Sequence, residues 1–414
     1  MLNERKEIDI KQGEIRYLFL IMLDIMYFPY LFHLPIKISM FLLLFWLLKQ
    51  KNNAENNTAL HLFSFCVLGT ISVCMGILRD MVEFSVILTD IQALIIILYG
   101  YAVFEFVRTM IKRYKISLNS LFVWYLGIAF LFMLLYWFVP DMFFQIRPFW
   151  TLRTEGEEFV NYAGSRFSFI ASEPNNFAAL IVAILAFLNF SKQLAKNEKI
   201  VVSLVSLCLV ISTSSISGTF YYCLVVLMCL FFRSKEKATN KKTQGKFKQV
   251  VLYVITAFSL VCIVAIIFNS NRIFNTNLIQ AATGRYDLYF TDKGSDFSGD
   301  RLRIWKDCIE NNNFWESIFF GYASVTKPHS GHLYIIYAFG FVMYVLFMKL
   351  FFFDGLKNIR SIIVRGIFMA VFTMNTLIVD LRSFTLFAVL LAASCIKEEN
   401  ENRIINSSMK EYKS

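Results

Sequence analysis

The chain has 414 residues, of which 57% are hydrophobic and only 17% charged, with a formal net charge of +11. Charged residues make up about a quarter of an ordinary soluble domain, so this chain is short of the polar surface needed to fold as one in water. Apolar runs of roughly 20 residues recur without alternation, which excludes a β-barrel and predicts an all-α polytopic membrane protein. Most lysines sit in short connections between those runs, so the positive charge is the cytoplasmic bias of a membrane protein and not a nucleic-acid surface.

In chain order, the stretch MLNERKEIDIKQGEIR is polar and lacks the charged-then-apolar pattern of a cleaved signal, so the first apolar run is expected to stay in the membrane. Run lengths predict about twelve spans within a single transmembrane domain covering 1–414. Tyr17–Phe32 and Ile36–Leu48 form a hairpin around Pro29 and Pro35. Leu60–Leu78, Phe84–Val107 and Leu121–Val139 follow, then an external segment over 140–168. The sixth span is Phe169–Phe190, and a seventh and an eighth are parted by the hydroxyl-rich stretch Ser212–Thr219. A basic block, Arg233–Lys248, precedes the ninth span, Val250–Phe268. A large external loop occupies 269–330, and the last spans are Leu333–Phe352, Gly366–Val379 and Phe384–Ile396. The tail from Lys397 is polar. Of the eight cysteines, only Cys308 falls in the large loop and the rest lie in or beside apolar runs, so no disulfide framework is expected.

Alternating sides along this order groups Lys49 and Lys51, Arg108–Lys115, Lys192–Lys199 and Arg233–Lys248 on the face that holds both termini, predicted to be cytoplasmic. The opposite face carries Arg79, Arg147, Arg153, Arg166, Arg272, Arg285, Arg301, Arg303 and Arg382 against only Lys37, Lys293, Lys306 and Lys327. A topology signal does not distinguish the two cations. Phosphate binding does, because a guanidinium presents two parallel donors and stays charged in a partly dry site. Pairing with acids such as Asp80, Glu155, Glu157, Glu158 or Asp300 is the alternative. Asp90, inside a span, is either functional or a bond between helices.

Three stretches carry the chemistry. Arg166 leads through small residues to Glu173-Pro174-Asn175-Asn176 and a helix, where Glu173 also suits plain capping. The second is Ser212–Gly218, a tight hydroxyl-rich break. The third runs from Ser298 to Gly340, with Arg301 four residues before Trp305, then Gly321-Tyr322, and His329 eleven residues before Gly340.

Together these stretches resemble the bacterial O-antigen polymerase and O-antigen ligase family. The large loop of that family ends in a histidine, a small polar residue, an aromatic and Leu, with a helix Gly eleven residues on. HSGHLYIIYAFG fits this pattern, with His329 at the histidine and His332 in the aromatic place. Arg301 fits the family's Arg-x-x-x-Trp, and Arg166 with Glu173-Pro174 resembles the polymerase branch. Relatives carry an arginine in the hydroxyl-rich turn where this chain reads Ser215-Ile216, so Arg382 or Arg79 is expected to stand in for it.

The resemblance implies a GT-C-like membrane fold in the bacterial inner membrane, with the active site facing the periplasm. It implies transfer of a glycan from undecaprenyl pyrophosphate to a sugar hydroxyl on a second lipid-linked repeat unit, without cofactor or metal. His329 or Glu173 would take the acceptor proton, and Arg166, Arg301, Arg153, Arg382 and Arg79 would hold the pyrophosphate. Trp305, Tyr322 and His332 would contact sugar, although aromatics at such positions also anchor membrane interfaces. Expected partners are the lipid-linked oligosaccharide, a chain-length regulator and a flippase. The alternatives are the ligase that passes polymer to lipid A-core, a transporter of the same lipid, and a structural subunit. No clear internal repeat of the transporter kind is present.

Overall fold

The computed structural model describes residues 2–31, 36–49, 57–78, 84–147, 167–169, 171, 173–191, 193–237, 319, 321, 330–354, 359–375, 378 and 380–395. Among the described residues there is no strand. The helices are α1 (Leu2–Met26), α2 (Ile38–Lys49), α3 (Thr58–Leu78), α4 (Phe84–Tyr114), α5 (Asn119–Phe138) and a short α6 (Pro140–Ile146). They continue as α7 (Pro174–Asn189), α8 (Lys196–Ser212), α9 (Ile216–Lys237), α10 (Gly331–Phe347), α11 (Ile359–Met374) and α12 (Leu381–Ser394). A π-helical turn, Met348–Phe353, extends α10. Among the described residues four segments are long and apolar enough to cross a membrane: Thr58–Leu78, Val86–Tyr114, Asn119–Phe138 and Gly331–Phe353. Eleven of the twelve expected runs coincide with a described helix, and the ninth, Val250–Phe268, lies outside the described residues.

The distribution of side chains is the reverse of a water-soluble protein's. On α3 the large apolar residues Leu60, Phe63, Val67, Ile71 and Ile77 are exposed, whereas Gly69, Ser72 and Gly76 are buried. Small residues inside let backbones approach, which is how helices associate when the surroundings are as apolar as the side chains. At Gly69 a Cβ would lie 2.5 Å from Leu94 of α4, so this seam admits no larger residue without a shift.

Two helices are enclosed on every side. All of α12 is buried, and in α7 only Asn175 is partly exposed. Helix α7 packs against α5, α8, α9, α11 and α12, and α12 against α1, α4, α7 and α11. Helices apolar around their whole circumference belong in a core. The pair lies side by side at its C-terminal end, where the Arg360 guanidinium sits 4.5 Å over the Phe187 ring of α7 and donates to Ala393 O of α12 at 3.3 Å. With 16 and 14 residues they are about 24 and 21 Å long, so their N-termini also come to a similar level.

That level is the midpoint of α4. The Phe384 ring in the first turn of α12 rests on Gly100, where a Cβ would come within 2.3 Å of it. At the adjacent Tyr99, the hydroxyl bonds Ser39 Oγ in the first turn of α2, and Ser39 in turn donates from its backbone to the Asp24 carboxylate near the end of α1 at 2.9 Å. The α1–α2 hairpin therefore lies against the second half of α4 only, with Glu14 reaching Arg113 and Tyr114 at the far end.

Several boundaries differ from the hydropathy reading. Helix α1 begins at Leu2, because a polar stretch can be helical without being apolar, and it stops at Met26, shortly before Pro29. Helix α11 begins at Ile359 and not near Gly366, because it contains the buried arginines Arg360 and Arg365. Arg365 donates to Asp354 O at 2.7 Å and to Ser394 Oγ at 3.4 Å. Arginines at a helix C-terminus meet carbonyls that lack intrahelical partners. The far end of the 140–168 segment is packed inside: Phe167 donates its amide to Ser212 O, and Arg147 donates to Ser168 Oγ at 2.9 Å.

Candidate anion site at the heads of two buried helices

Of the expected site residues, His329, Arg79, Arg153, Arg166, Arg301, Trp305 and Tyr322 lie outside the described residues. Glu173, Arg382 and His332 lie within them.

Glu173 is the N-cap residue of α7, with extended backbone and Pro174 in the first helical position. Its side chain makes no capping hydrogen bond, so capping does not account for a carboxylate there. Arg382 is in the first turn of α12, 2% exposed, behind Asp380, which caps the helix by accepting from Ser383 N at 3.3 Å and Ser383 Oγ at 2.6 Å. The structure thus brings Glu173 and Arg382 to the N-terminal ends of two adjacent buried helices. Those ends carry unpaired amides and the positive pole of each helix.

Arg382 donates from Nη2 to Phe28 O at 2.7 Å and also lies against the Tyr30 hydroxyl. Its Nε and Nη1 are buried with no partner. The guanidinium carbon stands 5.0 Å from the Tyr30 ring centroid, and Lys37 Nζ stands 4.8 Å from the same ring. Lys37 is 1% exposed and also donates to Phe28 O, and to Asp24 O at 2.9 Å. Two donors sharing one oxygen are within about 6 Å of each other.

No described carboxylate is within 4.0 Å of either cation: Asp24 bonds Ser39 and Asp380 bonds Ser383. A guanidinium offers five N–H donors and an ammonium three. One of the first and two of the second are used. Three further buried polar atoms in this region lack partners, the first being Asp24 Oδ1. The Tyr125 hydroxyl of α5 feels the charges of Arg382 and Asp380, and its ring packs 5.7 Å from Phe169, which contacts Phe177 in the first turn of α7. Asn176 Oδ1 is in that same turn. Buried donors without acceptors are uncommon in folded proteins, and a concentration of them marks a place where a polar group is missing. Of these atoms, Arg382 Nε and Nη1 are charged donors, which an anion would satisfy.

His332 is elsewhere. Its Nδ1 is 3.2 Å from the Tyr344 hydroxyl and its Nε2 3.4 Å from Met369 O, with the Phe372 ring at 5.0 Å. Both ring nitrogens thus face partners at the α10–α11 contact, and the structure does not bring His332 together with Arg382 or Glu173. The head of α10, which follows His329 directly, is held firmly. Ser330 caps it, Gly331 N donates to Asn375 O at 3.1 Å, and the Tyr334 hydroxyl donates to Asp90 Oδ1 at 2.6 Å. Asp90 is accordingly a bond between α4 and α10.

Lower on α10, Gly340 breaks the helix with φ 84° and ψ 167°. The backbone of Gly321, from the large loop, approaches so closely that a Cβ there would lie 2.6 Å from Gly340 N. The preceding carbonyl, Phe339 O, accepts from Ser72 Oγ of α3 at 3.1 Å.

Asn176 belongs to the Glu173-Pro174-Asn175-Asn176 stretch, whereas Lys37 and Tyr125 belong to no motif. A charged residue inside the second apolar run was the available signal for Lys37, and Tyr125 has none short of the fold itself. No family model matches the chain, and no curated protein or solved structure matches it.

Proposed function

We propose that the protein is a polysaccharide polymerase that transfers a glycan from undecaprenyl pyrophosphate to the hydroxyl of another lipid-linked repeat unit, in the manner of O-antigen polymerases. The acceptor oxygen attacks the anomeric carbon of the donor sugar. The bond from that carbon to the diphosphate oxygen breaks, and its electron pair leaves with the lipid diphosphate. The acceptor proton passes to a base, for which His329 and Glu173 are the candidates. The work for the protein is to stabilise charge on the leaving diphosphate. Donors fixed in advance in a water-poor site do this well, because no solvent must reorganise.

One observation carries the reading: a buried guanidinium, Arg382, with Nε and Nη1 unpartnered at the head of an enclosed helix. It is one of the two arginines expected to stand in for the one absent from the Ser215 turn. The all-helical architecture and four membrane-length apolar segments agree with a lipid substrate. In this reading the site faces the periplasm, both termini are cytoplasmic, and a flippase and a chain-length regulator are the neighbours.

The test is reconstitution with a synthetic undecaprenyl-pyrophosphate repeat unit. Polymer that forms in the presence of a chelator, and fails to form with Arg382→Met, is the expected result. No polymer from the unaltered protein sinks the reading. In cells lacking the protein, a ladder reduced to one repeat identifies a polymerase. Full ladders retained on the carrier lipid identify a ligase.

A further inference from the structure

We infer that Asp24 is the second half of this site and makes it favour the sugar-bearing carrier over the spent lipid diphosphate; this rests on the polymerase reading of Arg382. Asp24 lies near the end of α1 and is 2% exposed. Its Oδ2 accepts from the Ser39 amide at 2.9 Å and from the Ser39 hydroxyl, so the carboxyl group is fixed in place. Its Oδ1 is buried and has no partner. Arg382 is close by. Lys37 Nζ joins Asp24 O to Phe28 O, the oxygen that Arg382 also holds, and the Tyr99 hydroxyl feels the charges of both Asp24 and Arg382. An acceptor and two donors, all unsatisfied, thus stand in one region without bonding each other. The remaining acid and base there are engaged: Asp380 accepts from Ser383, and Lys37 donates to the two backbone oxygens.

What lies between them must offer an acceptor to the guanidinium and a donor to the carboxylate. A bare lipid diphosphate offers acceptors only, and loss of the sugar leaves its terminal phosphoryl group more strongly charged against Asp24. A glycosyl diphosphate meets both needs, because its phosphoryl oxygens accept and the hydroxyls of its sugar donate. A polar atom placed for a substrate hydroxyl rejects a ligand without one, since that atom then stays unpaired. Asp24 therefore holds the sugar of the substrate and, once the sugar has been transferred, opposes the diphosphate left behind.

The experiment measures binding of two ligands to the purified full chain in detergent: farnesyl diphosphate, which mimics the spent carrier, and farnesyl diphospho-N-acetylglucosamine, which bears a sugar. The unaltered protein should prefer the sugar-bearing ligand by about tenfold or more. Asp24→Asn keeps an oxygen for Ser39 and turns an amide N–H toward the gap. It should bind farnesyl diphosphate about tenfold more tightly and lose most of the preference. A gain of affinity is a result that mere loss of packing does not give. Ser39→Ala, which loosens the same contact but keeps the carboxylate, should melt earlier and retain the preference. Equal binding of the two ligands by the unaltered protein overturns the inference without any variant. So does an Asp24→Asn protein that binds both ligands as before, which would leave only water in the gap. Weaker binding of both by Asp24→Asn, with earlier melting, also overturns it and reduces Asp24 to a cap on α2. In each case the polymerase reading stands if polymer formation still depends on Arg382. If the unaltered protein binds neither ligand and makes no polymer, that reading itself has failed.

Discussion

Arg382→Met separates a residue kept for function from one kept for stability. The substitution removes the 2.7 Å bond to Phe28 O, worth about 1.5–3 kcal/mol for a charged donor, and the contact with Tyr30, worth about 1–2 kcal/mol. It also removes a buried charge whose Nε and Nη1 have no acceptor, a desolvation cost of several kcal/mol. Methionine fills similar volume and adapts to its surroundings. The losses and the relieved desolvation are of similar size, so the melting temperature without ligand should hold to within a few degrees. Polymer formation should fall by about 100-fold or more, the cost of losing a main charge-stabilising donor. Thermal unfolding in detergent and reconstituted polymerisation measure the two sides. A melting temperature lowered by more than about five degrees, with activity falling only as folded protein is lost, would refute the reasoning and make Arg382 a structural clamp.

Tyr125→Phe deletes a buried hydroxyl without a partner, so stability should hold or gain about 1 kcal/mol, while turnover falls if the hydroxyl meets substrate; melting and initial rate decide. Tyr334→Phe breaks the bond to Asp90 and should cost about 1.5–3 kcal/mol, seen as a lower melting temperature, with a loss of activity that Asp90→Asn reproduces only in part. Gly340→Ala forces a side chain into a backbone conformation open to glycine and should destabilise by about 1–3 kcal/mol, which accelerated limited proteolysis would report. Gly100→Leu should drive Phe384, and with it the first turn of α12, out of place, so farnesyl diphosphate binding should drop even where the protein still folds.

Hydropathy made most helices legible, and the exceptions share a cause. Arg360 and Arg365 interrupt an apolar run, yet they sit inside α11 because carbonyls and hydroxyls near the end of α12 receive them. A hydropathy window counts a charge as an end and cannot see that another helix supplies its partner. The polar start of α1 was likewise read as preceding a helix, although Glu14 is tied to Arg113 at the end of α4 across 99 residues. Glu173-Pro174 and Asp380 were recognisable as helix starts, since Pro in the first turn and Asp at the cap act locally. The site was only half legible. Arg382 stood out as an arginine on the outer face, whereas Lys37 looked like one of a few stray lysines. Its surroundings depend on the turn between α1 and α2 lying beside the head of α12, a long-range fact that no spacing encodes.

The backbone contact between Gly321 and Gly340 constrains how the large loop can move. A loop attached only at its ends swings freely, but this one is pinned within van der Waals range of a helix interior, with Ser72 holding the neighbouring carbonyl from the other side. Any displacement of that part of the loop must either tear the pin out or carry the first half of α10 along, with Gly340 as pivot. Force applied to the chain near His329 would then be felt at α3, more than 200 residues away in sequence, through one serine hydroxyl.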